Sequence, residues 1–296
     1  MTDRLYLVDA SIYFFRAFYS MPDNFTDVDG RSVNGVYGYA GFLAELVEKD
    51  ISPVSFAFDE SLTTCYRNTI YPAYKANREL PDENIKYQLA QCQRITSLLG
   101  FHSTVLEDYE ADDIIGTLAR GWREVHPETS RITIITRDKD LGQLLETGDS
   151  LWDYASDTHT DSDALEAKFG IRPEQLADYL ALAGDAVDNI PGATGIGAKT
   201  AARLLQFAGN LEALLSSPEM VADSGIRGAT KIIATLSEQA EEIRTYRRIT
   251  SIHQQAPVTW KPEDFHRSDV DSRALGRFCD DMRFGMRLRE RLMSAV

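Results

Sequence analysis

Apolar residues fall in short unbroken runs at 5–8 (Leu-Tyr-Leu-Val), 54–58 (Val-Ser-Phe-Ala-Phe) and 132–136 (Ile-Thr-Ile-Ile-Thr), each followed at once by a polar turn. Runs of this length and β-branched or aromatic content predict buried strands. Two weaker runs, 101–106 and 150–154, extend the series. Between them, 36–49, 83–99, 111–123 and 141–146 carry helical periodicity. Strand–helix alternation of this kind predicts an α/β fold: a core centred on a parallel sheet, with helices on both faces.

After about residue 160 the strand signals stop. The segments 162–169, 173–183, 198–207, 228–236 and 238–249 all read as helices. Pro173 sits where a first-turn proline belongs, and Gly170 where a helix should end. A last pair, 273–282 and 286–293, is expected to pack back on the body. The pattern therefore divides into an α/β core over 1–160 and a helical domain over 161–296.

Composition narrows the classes. With 43% hydrophobic and 26% charged residues in 296, the chain has ample apolar mass for a core, which excludes disorder. No apolar run approaches the roughly 18 residues of a membrane helix, so no membrane partner is expected. The charged N-terminus does not read as a signal peptide. Cys65, Cys92 and Cys279 are far apart and odd in number, as expected of reduced, buried thiols in a cytoplasmic protein. Lys and Arg number 31 against 46 Asp and Glu, a formal charge of −15. Such acidity either serves solubility or gathers carboxylates to hold cations.

The positions of the acids bear on that choice. Asp9 ends the first run and Asp59 the second, while Asp138 and Asp140 follow the third. Glu110, Asp112 and Asp113 come just after 101–106 and open a helix. In open parallel sheets, ligand sites lie outside the carboxyl ends of the strands, so these sets would converge on one edge. Asp185 and Asp188, spaced i,i+3 after the helix 173–183, form a further set. Each set alone also reads as turn or helix-cap residues. Together they would repel, two bare carboxylates about 4 Å apart by up to about 4 kcal/mol at an effective dielectric of 20. Hard divalent ions would relieve this, and oxygen-only ligands select Mg²⁺ or Mn²⁺. The five histidines show no ligand spacing. A site shared by two such ions suits in-line phosphoryl displacement by water.

Other motifs read as follows. Gly192-Ala-Thr-Gly195-Ile-Gly197-Ala-Lys199-Thr200 is not a nucleotide P-loop, because Ala198 separates the last glycine from Lys199 and no strand precedes it. It reads as a helix–hairpin–helix over about 185–207, with glycine backbone, Lys199, Thr200 and a helix N-terminus for duplex phosphates, or as an ordinary packing corner. Asp138-Lys139-Asp140 also suits an aspartyl-phosphate hydrolase, which leaves Asp9, Asp59 and Asp185 without a role. The Asp27-Val28-Asp29-Gly30 segment is a turn rather than a calcium loop. From about 63 to 94, Arg67, Lys75, Arg78, Lys86 and Arg94 alternate with Tyr66, Tyr71, Tyr74 and Tyr87, broken by Pro72 and Pro81. This suits single-stranded nucleic acid, or a solvated connector with a tyrosine face.

These motifs, with Leu-Val-Asp-Ala-Ser (7–11), Phe-Asp (58–59), Tyr-Lys-Ala-Asn-Arg (74–78), Glu-Ala-Asp-Asp (110–113), Asp-Lys-Asp-Leu (138–141) and Gly-Asp-Ala-Val-Asp-Asn-Ile-Pro-Gly (184–192), closely resemble the bacterial 5′–3′ exonuclease and flap endonuclease family. That family includes the 5′-nuclease domain of DNA polymerase I, and no acidic position of its pattern is missing here. Ala10 and Arg137 are mild departures, at positions where glycine is common. The resemblance implies a nuclease core followed by a helix–three-turn–helix DNA-binding domain. It implies Mg²⁺ or Mn²⁺, two or more ions, held by Asp9, Asp59, Glu110, Asp112, Asp113, Asp138 and Asp140, with Asp185 and Asp188 as a neighbouring set. It further implies Lys75 and Arg78 as active-site cations on a helical arch, Tyr74 beside the scissile nucleotide, and Arg16 near the branch point. Arg67 is expected to touch DNA, and K⁺ to sit on backbone oxygens in the glycine-rich segment. The expected substrate is DNA with a 5′ flap or 5′ end at a duplex junction, cut by a monomer. A junction-binding protein without catalysis and an acidic-cleft ribonuclease are the rival readings.

Overall fold

The computed structural model describes residues 3–61, 64–78 and 82–294. Six strands, β1 (Asp3–Asp9), β2 (Val54–Asp59), β3 (His102–Leu106), β4 (Ser130–Ile135), β5 (Ser150–Asp153) and β6 (Thr158–Thr160), form one sheet in the order β3-β2-β1-β4-β5-β6. Every neighbouring pair is parallel except β5 and β6. Side chains alternate across a strand, so Leu5, Leu7, Ile132 and Ile134 serve one core, while Val8, Phe56 and Ile135 serve the other. The five expected strands all occur. The sixth, β6, is short and polar and carries no apolar run that could reveal it.

The helices α1 (Ala10–Ser20), α2 (Asn34–Glu48), α3 (Tyr66–Ile70), α4 (Glu83–Leu98) and α5 (Ala111–Val125) join the strands. Helix α1 escapes the sequence pattern because it is aromatic on several sides: Tyr13 and Phe14 are buried, whereas Tyr19 is 76% exposed. The expected helix 141–146 is a tighter 3₁₀ turn, Asp140–Leu144. Beyond the sheet come α6 (Ser162–Phe169), α7 (Leu176–Ala183), α8 (Ala198–Ala208), α9 (Leu211–Ser216), α10 (Ala229–Glu238), α11 (Ala240–Thr250), α12 (Ser272–Asp281) and α13 (Met286–Met293).

The first core passes without a break from the sheet through α5 (Ile114, Leu118) into α7 and α8 (Leu180, Leu182, Leu204, Leu205). The second packs α1, α2 and α4 together with Phe278, Leu288 and Leu292 of the last two helices. An ion pair of Arg291 with Glu48, 2.6 Å, fastens α13 to α2. The helical half thus shares its apolar mass with the sheet, which holds the loops from both halves against the strands' carboxyl ends. Cys65, Cys92 and Cys279 are free and buried. Among the described residues, no helix is long and apolar enough to cross a membrane.

Candidate metal centre

Three parallel strands deliver carboxylates to one edge. Asp9 ends β1 and caps α1, accepting from the Ile12 N–H at 3.4 Å. Asp59 ends β2, and its Oδ1 accepts from the Ala111 N–H at 2.9 Å, tying that strand to the start of α5. Asp138 follows β4, where its Oδ1 accepts from the Asp140 N–H at 2.8 Å. The Thr136 hydroxyl donates to Asp9 Oδ2 at 3.0 Å and accepts from the Asp138 N–H at 2.9 Å. Ser11 accepts from the Asp59 N–H at 3.1 Å. Neither hydroxyl is among the candidate residues; the signal for each is a serine or threonine two positions from a strand-end acid.

The acids divide into two electrostatic groups. In the first, negative charges face one another. Burial, then Asp59 and Asp138, push the Asp9 carboxyl up to about 8. Burial, with Asp138 and Asp9 beside it, carries Asp112 well above the usual carboxylate range. Burial and Asp138 raise Asp140 to about 7. Asp140 Oδ1 is buried without a hydrogen bond among the described residues, with Lys139 Nζ standing off at 3.6 Å. Burial raises Asp59 as well.

In the second group the protein supplies its own cations. Burial opposes ionisation of Glu110, but the Lys75 ammonium and Arg67 guanidinium beside it hold the carboxyl down at about 2. The Tyr74 hydroxyl donates to Glu110 at 3.0 Å and to Asp188 at 3.2 Å. Arg78 pairs with Asp188 at 2.8 Å, and Lys139 with Asp185 at 2.8 Å. Asp113 is fully buried, with its two oxygens on Arg67 at 2.7 Å each and on the N–H groups of Glu110 and His253. Among the described residues, no three acidic, cysteine or histidine side chains enclose one ion-sized point. Four of the nine acids are drawn instead onto Lys75, Arg67, Arg78 and Lys139.

This corrects several expectations. Asp113 is a helix-cap and ion-pair residue with no oxygen left to face the edge. Arg67 is 3% exposed and donates to the carbonyls of Ile249 and Ser251, so it cannot touch DNA. Tyr74 is 4% exposed, its hydroxyl spent on carboxylates, so it is a support beneath the cleft and not a surface for a nucleotide. The basic–aromatic alternation is largely tertiary packing: Tyr71 meets Tyr246, Tyr87 donates to Asp27, and Arg94 covers Phe278. Residues 72–77 form turns, and α4 packs into the body through Leu89, Cys92 and Ile95, so the described part of 63–94 is not one helical arch. Thr63, where that reading starts, and Pro81, one of the two prolines that break it, lie outside the described residues.

The glycine-rich segment also divides. Gly195, Gly197 and Lys199 are exposed where α8 begins, with Gly197 as its cap and Thr200 in its first turn. Gly192 is buried, and a Cβ there would lie 2.4 Å from the Gly184 nitrogen at φ +74°. It therefore packs backbone on backbone and holds the loop of Asp185 and Asp188, and it is not a phosphate contact. Gly192→Ala is expected to destabilise the fold by about 2 kcal/mol or more, because neither the strain nor the clash has room to relax. Chemical denaturation reads this, and an unchanged midpoint would contradict it. Arg16 is exposed on α1 and lies 3.9 Å from Asp153.

Comparison with known proteins agrees with this architecture. A family model for the 5′–3′ exonuclease N-terminal resolvase-like domain matches residues 4–170, and one for the 5′–3′ exonuclease C-terminal SAM fold matches 171–273. DNA polymerase I of Pseudomonas aeruginosa is 37% identical over 80% of this chain and 26% of its own length. The thermostable DNA polymerase I of Thermus filiformis is 34% identical over 97% of this chain and 33% of its own. The chain thus spans about a quarter to a third of these relatives. Among solved structures, T5 5′-exonuclease with zinc bound superimposes with a TM-score of 0.68 at 17% identity, covering 98% of this chain and 97% of that one. The catalytic core of Rad2 in complex with DNA substrate gives 0.67 at 14%, covering 100% and 93%.

Proposed function

The chain belongs to the 5′–3′ exonuclease family, and from that premise we propose that it is a divalent-metal-dependent nuclease hydrolysing DNA phosphodiesters near single-strand/duplex junctions. The observation that carries this is the uncompensated set at the sheet edge, Asp9, Asp59, Asp112, Asp138 and Asp140. These carboxylates have too little positive charge of their own, and one buried oxygen, Asp140 Oδ1, has no hydrogen bond among the described residues. An all-oxygen donor set of this kind fits Mg²⁺ or Mn²⁺. Those five acids would hold the ions together with Glu110, and Asp185 and Asp188 form the adjoining set. When bound, such ions polarise a phosphoryl oxygen and lower the pKa of an attacking water.

The chain's own residues supply the rest. Lys75 and Arg78 bring positive charge to the same edge, where it offsets charge developing on a transferred phosphoryl group. Tyr74 holds Glu110 and Asp188 in position from below. Exposed Gly195, Gly197 and Lys199, with half-buried Thr200, at the start of α8 would clamp duplex phosphates, with K⁺ on neighbouring backbone oxygens. A cytoplasmic monomer acting in DNA replication or repair belongs to the same proposal. Cleavage of a 5′-labelled flap duplex in Mg²⁺, lost in EDTA, is the expected result. Binding without any turnover in Mg²⁺ or Mn²⁺ would instead favour a junction-binding protein.

Proton linkage gives a second expectation. Asp9 and Asp140 titrate higher in the folded state than their ordinary value of 3.8, so between about pH 4 and pH 8 the folded state binds more protons than the unfolded. In EDTA the melting temperature should therefore fall as pH rises through that window. Millimolar Mg²⁺ should raise it most at pH 8 and little near pH 5, as a ligand of the folded state competing with protons does. A midpoint indifferent to Mg²⁺ at pH 8 would count against the site.

A further inference from the structure

Although the chain carries a formal charge of −15, it gathers cations around a single carboxylate beside the acidic edge. Asp153, the last residue of β5, faces Arg137 Nε at 3.4 Å and Arg16 Nη1 at 3.9 Å. Lys168, near the end of α6, is exposed, with Nζ 5.2 Å from the Phe169 ring centroid. The two guanidiniums facing Asp153 outnumber its single negative charge. The Arg137 side chain is 57% exposed, so solvent screens its pair with Asp153 and leaves it available to a stronger anion.

Arg137 and Lys168 line an open cavity of about 240 Å³, together with the hydroxyl residues Thr158 and Thr160 of β6 and with Asp138 itself. The cavity therefore adjoins the candidate metal centre. Cations and hydroxyl donors recognise phosphate and sugar and carry no base-reading pattern. In the sheet order, Lys75 meets Glu110, which follows β3 on one side of β1, whereas Arg137 and Lys168 lie on the β5–β6 side. Strands spaced about 4.8 Å apart put the end of β5 about 10 Å along the edge from that of β1. For a duplex whose axis runs along the edge, at about 3.4 Å of axial rise per nucleotide, this is about three nucleotides.

Resting on the nuclease reading, we propose that this cavity is a second backbone-phosphate subsite, in which Arg137 and Lys168 hold a DNA phosphate about three nucleotides from the cleaved bond. Asp153 acts there as a placeholder that parks the guanidiniums when DNA is absent. The subsite would set affinity and register on the substrate, leaving the chemistry to the acidic edge.

The test is binding of a 5′-flap duplex in EDTA across a salt series, for the wild type, the double variant Arg137→Ala/Lys168→Ala, and Asp153→Asn. Each phosphate contact contributes about 0.9 to the slope of log affinity against log salt. The double variant should lose about 0.9 from that slope and bind about tenfold more weakly at low salt, with its loss in Mg²⁺ assays appearing in KM. Arg137→Lys/Lys168→Arg, which keeps both charges, should restore the slope. Asp153→Asn frees both guanidiniums and should bind tighter. An unchanged slope in the double variant, or weaker binding by Asp153→Asn, overturns the subsite while leaving the nuclease reading intact. A wild type that does not bind flap DNA removes both.

Discussion

Asp138→Asn should lower kcat on a 5′-flap substrate by about a thousandfold or more and, in EDTA, should stabilise the protein. Both effects come from the same position. Asp138 is the charge that raises each of Asp9, Asp112 and Asp140, so it lies at the centre of the group that lacks cations. Asparagine keeps the acceptor for the Asp140 N–H and removes only the charge. The neighbours are relieved of a repulsion worth on the order of 1 kcal/mol or more, and a melting curve without metal should move up. The Mg²⁺-dependent rise should shrink in the same variant. Activity lost together with stability would mean a merely structural Asp138, and retained activity would remove the acidic edge from the chemistry.

Arg67→Ala should cost about 3–5 kcal/mol of stability, the range for breaking a buried ion pair and leaving its partners charged. Glu110 and Asp113 would lose their shared guanidinium, and the carbonyls of Ile249 and Ser251 their donors. For a chain of this size that is about 5–8 °C in melting temperature. Arg67→Lys keeps a charge but cannot form the fork across two carboxylates and two carbonyls, so it should rescue only part of the loss. DNA affinity lost at an unchanged melting temperature would mean that the guanidinium reaches substrate after all.

The contrast between these residues marks what could be read in the sequence. A strand-end aspartate is a local signal: the apolar run fixes the strand, and the residue after it must leave the sheet's carboxyl edge. Asp9, Asp59 and Asp138 were legible for that reason. Which acid receives an internal cation is not local. Arg67 meets Ile249 and Ser251 from about 180 positions away, and Asp188 meets Tyr74 and Arg78 across the cleft. Nothing in the spacing of 63–94 separates a cation reaching into the fold from one facing solvent, so a packed segment read as a DNA-facing one. Gly192 shows the same limit, because its need for glycine comes from Gly184, a contact that closes only when the loop is formed. Helix α1 was hidden by aromatic residues on its exposed side, and β6 by the absence of any apolar run.

On the proposed reading, ions relieve the repulsion among Asp9, Asp112, Asp138 and Asp140, whereas Asp113, Asp185 and Asp188 are already answered by side chains. Anomalous scattering from crystals equilibrated with saturating Mn²⁺ tests that division directly. Manganese peaks among Asp9, Asp112, Asp138 and Asp140, with Asp113 still on Arg67, are the expected result. Those four carboxylates standing empty at saturating Mn²⁺, or an ion displacing Arg67 from Asp113, would contradict it.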